Sequence, residues 1–294
     1  MRLAGSAIAN AGGAISTGCF RRPAPTSTMP AEPRHPPPFM HFIFDIDGTL
    51  CFDGATISPA IQDALSELED QGHEIGFASA RPYRDMLHLL DQRFHHGLFV
   101  GSNGAMTYHR GELSDIQPLP RRTLDQLFEL TERFQASCLV DLPWHYHYNG
   151  DPAHPFMNWV DPAKRATPVS RDDIRLPVKL LVTECADGPA LQLALDQRDD
   201  IAVHHHSDQQ IVDITAKGVS KMSALLRHGV AAEQLVCFGN DSNDLSMFGA
   251  ARHAVQIGEH AQLRPLAAER IARDDDTETA LIGAMRRLGA RYAG

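Results

Sequence analysis

Apolar residues along this chain come in short runs that end on acidic, hydroxyl or glycine residues, with helical periodicities between them. His41-Phe42-Ile43-Phe44 runs directly into Asp45-Ile46-Asp47-Gly48-Thr49. A buried strand that stops this way delivers a ligand loop at the carboxyl edge of a parallel sheet. Ser58-Pro59 opens a helix carried by Ile61, Leu65 and Leu68, with proline early in the helix, where its missing N–H costs nothing. Glu74 to Ala78 predicts the next strand, followed by Ser79-Ala80-Arg81 and a second helix from Pro82. Leu98-Phe99-Val100 predicts a third strand before Gly101-Ser102-Asn103-Gly104. Repeated strand, loop and helix define an α/β sheet.

The pattern changes between Leu113 and Pro120. Leu124, Leu127, Phe128 and Leu130 mark a helix, and Ser137 to Leu142 reads as a strand. After a Pro-rich, aromatic stretch come a strand at Val178 to Val182, a helix at Pro189 to Gln197, and strands near Ile201 to Val203 and Gln210 to Ile214. The α/β order then resumes with a helix at Lys221 to Arg227 and a strand at Leu235 to Phe238 that runs into Gly239-Asn240-Asp241-Ser242-Asn243-Asp244. Ala254 to Ile257 predicts a further strand and Glu278 to Leu288 a terminal helix. The expected division is a disordered extension at 1–39, core at 40–115, an inserted α+β unit at 116–209, and core again at 210–294. Sheet, insertion and sheet place a cleft at their junction, where ligands commonly bind.

The extension is rich in Ala, Gly and Pro and buries too little apolar surface to offset its ordering entropy. Met40 stands directly before the first strand, so a start there is an open alternative. Elsewhere composition mainly excludes. A net charge of −10 over 294 residues disfavours a broad nucleic-acid surface, because backbone binding needs clustered Lys and Arg. It leaves room for a local cationic pocket. No apolar run reaches transmembrane length. The cysteines at 19, 51, 138, 185 and 237 form no CxxC pair, which suits a reducing compartment and a cytoplasmic protein.

The chemistry gathers at strand ends. Asp45 and Asp47 can converge with a backbone carbonyl on magnesium, which takes oxygen ligands and keeps several waters. Ser79 can donate to an anionic oxygen, and Lys221 can neutralise a transferring phosphoryl group. With the acidic loop at 239–244, these residues form a coherent site for phosphoryl transfer, which depends on positioning and electrostatics.

Read together as FDIDGTL (44–50), FASAR (77–81), KGVSKMSAL (217–225) and GNDSND (239–244), with SNGA (102–105) and IVDI (211–214), the chain resembles the haloacid-dehalogenase superfamily, in its Cof-like, type IIB branch. The resemblance runs from about residue 40 to 290. It implies a Rossmann-like core with a C2B-type cap, and hydrolysis of small phosphorylated metabolites: sugar phosphates first, with pyridoxal phosphate and flavin mononucleotide also in range. By the same resemblance Asp45 is the nucleophile, Asp47 the acid and base, Ser79 and Lys221 the phosphoryl-binding groups. Gly48, Thr49, Arg81, Asn103 and Asn243 are expected around the ester. Magnesium is expected on Asp45, the Asp47 carbonyl and an oxygen of Asn240, Asp241 or Asp244. The family often has Asp where this chain has Asn240, which leaves the direct ligand open between Asn240 and Asp241. A phosphomutase and a non-enzymatic phosphometabolite-binding protein are the alternatives, and monomer or homodimer is left open.

Other clusters read more simply. His204-His205-His206 cannot all face one ion, since strand neighbours alternate faces. Trp144-His145-Tyr146-His147-Tyr148 suits cap core or cap surface, and Asp274-Asp275-Asp276 suits the start of a helix. Lys217-Gly218 lacks the spacing of a phosphate-binding P-loop.

Overall fold

The structure, a computed structural model, describes residues 39–205 and 212–293. The expected extension at 1–39, apart from Phe39, lies outside the described residues, as do Cys19, His206 and the Gln210-Ile211 start of a predicted strand. Strand β1 (His41–Phe44) is buried along its length. Its side chains feed two cores, Phe42 and Phe44 on one face and Ile43 on the other, because the two-residue period exposes both faces and both must be covered. Helix α1 (Pro59–Asp70) covers the first face with Ile61, Ala64, Leu65 and Leu68, and Ser58 caps it by accepting from the Ile61 amide.

Strand β2 (Glu74–Ala78) pairs parallel with β1, and β3 (Leu98–Gly101) parallel with β2. The helix expected from Pro82 is short: α2 (Tyr83–Met86) passes into 3-10 turns. A hairpin not anticipated from the pattern, β4 (Met106–His109) and β5 (Glu112–Ile116), extends the sheet antiparallel. β5 is an exposed edge strand, so no apolar run marks it.

The insertion holds α3 (Arg121–Arg133), β6 (Ser137–Asp141), β7 (Tyr146–Tyr148), β8 (Lys179–Glu184), α4 (Gly188–Asp196), β9 (Ile201–His205) and β10 (Val212–Ala216). Its strands form a separate antiparallel sheet in the order β7-β6-β8-β10-β9. Because β10 belongs to it, this sheet runs to Ala216, past the boundary expected at residue 209. One face packs Cys138, Val140, Leu180, Val182 and Ile214 against α3 and α4. Residues of the opposite parity, among them Leu139, Asp141, Lys179, Leu181 and Asp213, line a cavity against the core.

The core resumes with α5 (Lys221–His228), β11 (Leu235–Gly239), α6 (Leu245–Phe248), β12 (His253–Ile257), β13 (Glu269–Ile271) and α7 (Thr277–Tyr292). The completed mixed sheet has the order β13-β12-β11-β1-β2-β3-β4-β5. Asp274-Asp275-Asp276 does sit at the start of α7, where Asp274 accepts from the Asp276 amide. Trp144, His147 and Tyr146 are engaged within the cap and with Arg84 rather than in the cavity: the first two meet the carbonyls of Arg165 and Val169, and the Tyr146 ring lies 5.4 Å from the Arg84 guanidinium. His204 bonds Thr215 across the sheet. Among the described residues no helix is long and apolar enough to cross a membrane.

Core and cap meet through buried charges. Arg84, on the core side, donates to Asp141 of the cap at 2.6 Å and to the carbonyls of Trp144 and His145. Asp85 accepts from the Asp161 amide, and burial pushes its carboxyl up to about 7 against the pull of Arg84. Removing one partner of a buried ion pair leaves the other uncompensated, at a cost of ~3–5 kcal/mol. Arg84→Met should therefore destabilise the protein by about that much in urea unfolding at pH 8. The loss should shrink at pH 5.5, where Asp85, its carboxyl already raised to about 7 and now without Arg84, takes up a proton. A destabilisation below about 1 kcal/mol at both pH values, within the range of an exposed pair, would mean that this junction does not depend on Arg84.

Candidate active site

The parallel strands β1, β2 and β11 end at one edge of the sheet, and the loops that follow them bring Asp45, Ser79 and Asn240 to one cavity of about 600 Å³. Lys221 reaches Asp45 from the first turn of α5, whose start is held by a Ser220–Ser223 capping box. Its Nζ is fully buried and lies 2.7 Å from both Asp45 Oδ1 and Asp244 Oδ1. One cation between two buried carboxylates leaves an excess negative charge. Burial, helped by Asp244 and opposed by Lys221, raises the Asp45 carboxyl to about 7. Burial also works against the charge on Lys221, but Asp244 and Asp45 outweigh it and hold its pKa above the ordinary lysine value.

Asp244 organises its loop. Its Oδ2 accepts from the amides of Asn240 and Asp241 and its Oδ1 from Lys221, so both of its oxygens are engaged. Gly239 has to be glycine, since a Cβ there would collide with this carboxylate. Asp241 accepts from the Ser242 amide at 2.7 Å and lies 3.6 Å from His260.

Asn240 is placed differently. One terminal atom of its amide lies 3.0 Å from Asp45 Oδ2, 3.0 Å from the Asp47 carbonyl oxygen and 3.1 Å from Thr49 Oγ1. With nitrogen in that position the amide donates to all three. With oxygen there, Thr49 donates to it, and it stands 3.0 Å from an Asp45 oxygen and from the Asp47 carbonyl, the spacing of adjacent octahedral ligands, about 3.0 Å for metal–oxygen bonds near 2.1 Å. Among the described residues no group of three His, Cys, Asp or Glu side chains could hold a metal. The convergent set is instead one carboxylate, one main-chain carbonyl and one amide, oxygen donors of the hard type that suits magnesium. Gly48, at φ +79°, leaves space for this amide.

Asp47 points elsewhere. Arg81 grips it with Nε to Oδ2 at 2.8 Å and Nη2 to Oδ1 at 2.6 Å, and Nη2 also donates to the Gly54 carbonyl. The Asp47 side chain keeps 45% exposure. Ser79 Oγ accepts from the Arg81 amide, which leaves its own O–H to donate into the cavity it lines.

Of the residues expected around the ester, Gly48, Arg81 and Asn243 line the cavity. Thr49 and Asn103 are fully buried. Thr49 turns to Asn240, and Asn103 joins Asp213 of the cap to Asn243 of the core at 2.9 and 3.0 Å. The sequence reading missed the residues that close the site: Arg84, Asp85, Asp141 and Lys179, with Trp159 and Arg273 on the cavity wall. A signal was present for three charges, since Asp141, Lys179 and Asp213 each interrupt an apolar strand with one charged residue. Lys179 Nζ donates to the Ala80 carbonyl at 2.8 Å, between Asp141 and Asp213.

A buried carboxylate paired with a buried lysine, a second carboxylate two residues on and a hydroxyl, gathered at parallel strand ends beneath a cap, suit phosphoryl transfer. Residues 42–281 match the haloacid dehalogenase-like hydrolase family, and the chain belongs to it. It is an enzyme, a hydrolase. It is 26% identical over 236 residues to 5-amino-6-(5-phospho-D-ribitylamino)uracil phosphatase YitU of Bacillus subtilis, covering 73% of this chain and 84% of that one. It is 24% identical over 241 residues to pyridoxal phosphate phosphatase YbhA of Escherichia coli, with 73% and 86% covered. A solved subclass IIB sugar phosphatase superposes with a TM-score of 0.69 at 20% identity, over 85% of this chain and 99% of that one, a likeness of fold.

The space beside Asn240 gives a direct test. A methyl group on Gly48 would meet the amide and strain a left-handed backbone. Gly48→Ala should lower kcat/KM at least ~10-fold, as misplacement of catalytic groups does, while circular dichroism stays native. Wild-type turnover in the folded variant would show that the amide's position is not needed.

Proposed function

We propose that this chain hydrolyses phosphate monoesters of small metabolites, sugar phosphates among them, in two half-reactions through a phosphoryl group carried on Asp45, with magnesium as cofactor. The observation that carries this reading is the buried Lys221 Nζ at 2.7 Å from the buried Asp45, with the half-exposed Asp47 lining the same cavity. The two relatives named above act on small phosphorylated metabolites, which supports the substrate class.

In the first half-reaction the Asp45 carboxylate attacks phosphorus and the bond to the leaving oxygen breaks. Asp47 gives that oxygen its proton, and must release at least one of its two hydrogen bonds from Arg81 to do so. In the second, Asp47 takes a proton from water, the water attacks phosphorus, and the bond to Asp45 breaks. Lys221 offsets charge on Asp45 and the phosphoryl oxygens, and Ser79 donates to one of them. Asp45, the Asp47 carbonyl and Asn240 would hold magnesium. When bound, the ion supplies the positive charge that the Asp45–Lys221–Asp244 group lacks. The cap, divided from the core at about residues 116 and 209–216, would shield these steps from bulk water.

Asp45→Asn should abolish phosphate release and leave no phosphoenzyme in a quench experiment, while the fold persists. Asp47→Asn should slow turnover ~10²–10⁴-fold, most for esters with poor leaving groups. Turnover by a folded, sequence-verified Asp45→Asn protein would remove the assigned nucleophile. Isomer formation without free phosphate in the wild type would make the enzyme a mutase.

The metal assignment has its own measurement. Asn240→Ala should raise the magnesium concentration needed for half-maximal activity and weaken binding seen by calorimetry, whereas Asp241→Asn should change either less. Binding in the wild type should also weaken as pH falls below 7, because a proton on Asp45 competes with the ion. Normal binding by Asn240→Ala together with loss in Asp241→Asn would move the direct ligand to Asp241.

A further inference from the structure

The cavity that holds Asp45 and Asp47 has a wall that this chemistry leaves unused. A 3-10 turn of the cap, Pro155–Trp159, buries none of its residues. Phe156, Trp159 and Val160 line the cavity beside Leu139 and Leu181 of the cap sheet. Trp159 keeps 47% exposure, large for an indole in a protein with a well-filled interior. Its six-membered ring lies 3.3 Å from where a Cβ on Gly54 would stand, and the Gly54 carbonyl accepts from the same Arg81 nitrogen that holds Asp47. The indole therefore stands against the loop whose Gly54 carbonyl shares Arg81 with Asp47.

The charged groups on this side are largely engaged with one another; Asp141 Oδ2, which accepts no hydrogen bond, lies 3.5 Å from Lys179 Nζ. Asp141 takes Arg84, Lys179 spans Ala80, Asp141 and Asp213, and Asp213 takes Asn103. A polyol leaving group turned to this wall would set hydroxyls against Leu139, Val160, Leu181 and Phe156, and each buried hydroxyl left without a partner loses binding. A flat conjugated ring has apolar faces and loses nothing there. Within the phosphatase reading, on which this rests, we propose that Trp159 and Phe156 form a stacking subsite that selects phosphate esters whose leaving group carries a planar ring. The step at phosphorus is unchanged; the wall chooses which ester is presented to it.

The test compares kcat/KM for a pyridylmethyl phosphate and a hexose 6-phosphate in the wild type and in Trp159→Ala, Trp159→Phe and Trp159→Leu. The wild type should favour the ring ester about 10-fold or more, the scale of one good aromatic contact. Trp159→Ala should cut that preference about 10-fold. Trp159→Phe should retain most of it, and Trp159→Leu, apolar but not flat, should not. Should the alanine variant fail to fold, the Phe and Leu pair gives the same comparison. Calorimetry on Asp45→Asn protein, which reads binding without turnover, should show the ring ester bound more tightly than the hexose phosphate. Equal or reversed preference in the wild type, parallel losses for both esters, or full rescue by leucine would overturn the subsite. Absence of turnover with intact, ring-selective binding would instead overturn the hydrolase reading and keep the subsite.

Discussion

Everything in the active site is arranged around Lys221, a single buried ammonium held between two carboxylates at 2.7 Å. Transfer of such a group from water is costly unless it is paired and hydrogen-bonded. Here the pairing is unequal, one positive charge against two negative. The surplus is visible in the Asp45 carboxyl, lifted to about 7 by burial and by Asp244. A site in this condition attracts cations, and one terminal atom of the Asn240 amide lies 3.0 Å from oxygens of both Asp45 and Asp47. The neutral Asn240 adds no negative charge and keeps that surplus from growing. Its amide can also turn, offering nitrogen to the bare oxygens or oxygen to an ion.

Asp244 links this electrostatic centre to the backbone. By accepting from two amides of its own loop and from Lys221, it sets the position of Asn240. The absence of a side chain at Gly239 makes that approach possible. The cap is fixed by the same kind of interaction on a larger scale. Lys179 reaches from the cap to the Ala80 carbonyl, beside Ser79, and Asp213 reaches through Asn103 to Asn243. The loop at Ser79 thus carries a hydrogen bond to the cap, and the loop at Asn243 is joined to it through Asn103. Polar groups at such a junction can be rehydrated if it opens, whereas an apolar seam would be held shut by the hydrophobic effect.

The division of labour in the cap sheet follows from parity. Cys138, Val140, Leu180, Val182 and Ile214 turn to the helices and supply cohesion. Their neighbours turn to the cavity and are free to carry charge or an open apolar surface. Leu139 and Leu181 therefore serve the ligand side while Val140 and Leu180, one residue away, serve the core.

Much of this was legible in the linear chain. The apolar runs located the core strands at 41–44, 74–78, 98–101 and 235–239, and the residues that end them located Asp45, Asp47, Ser79 and the loop at Asn240, because side-chain period and helix stripe are local properties. What lay beyond sequence was decided by contacts distant along the chain. Edge strands β5 and β13 carry no continuous apolar run, and β10 joined the cap sheet by pairing rather than by composition. Thr49 and Asn103, both inside sequence motifs, were expected around the ester, yet packing buried both and turned them to Asn240 and Asp213. Arg84, Asp141 and Lys179 read as scattered charges until folding brought them together. Sequence specifies which side chains a strand or helix presents to each face. Which partner meets that face, and hence whether a charge becomes a latch, a ligand or a solvated side chain, is set only when the elements pack.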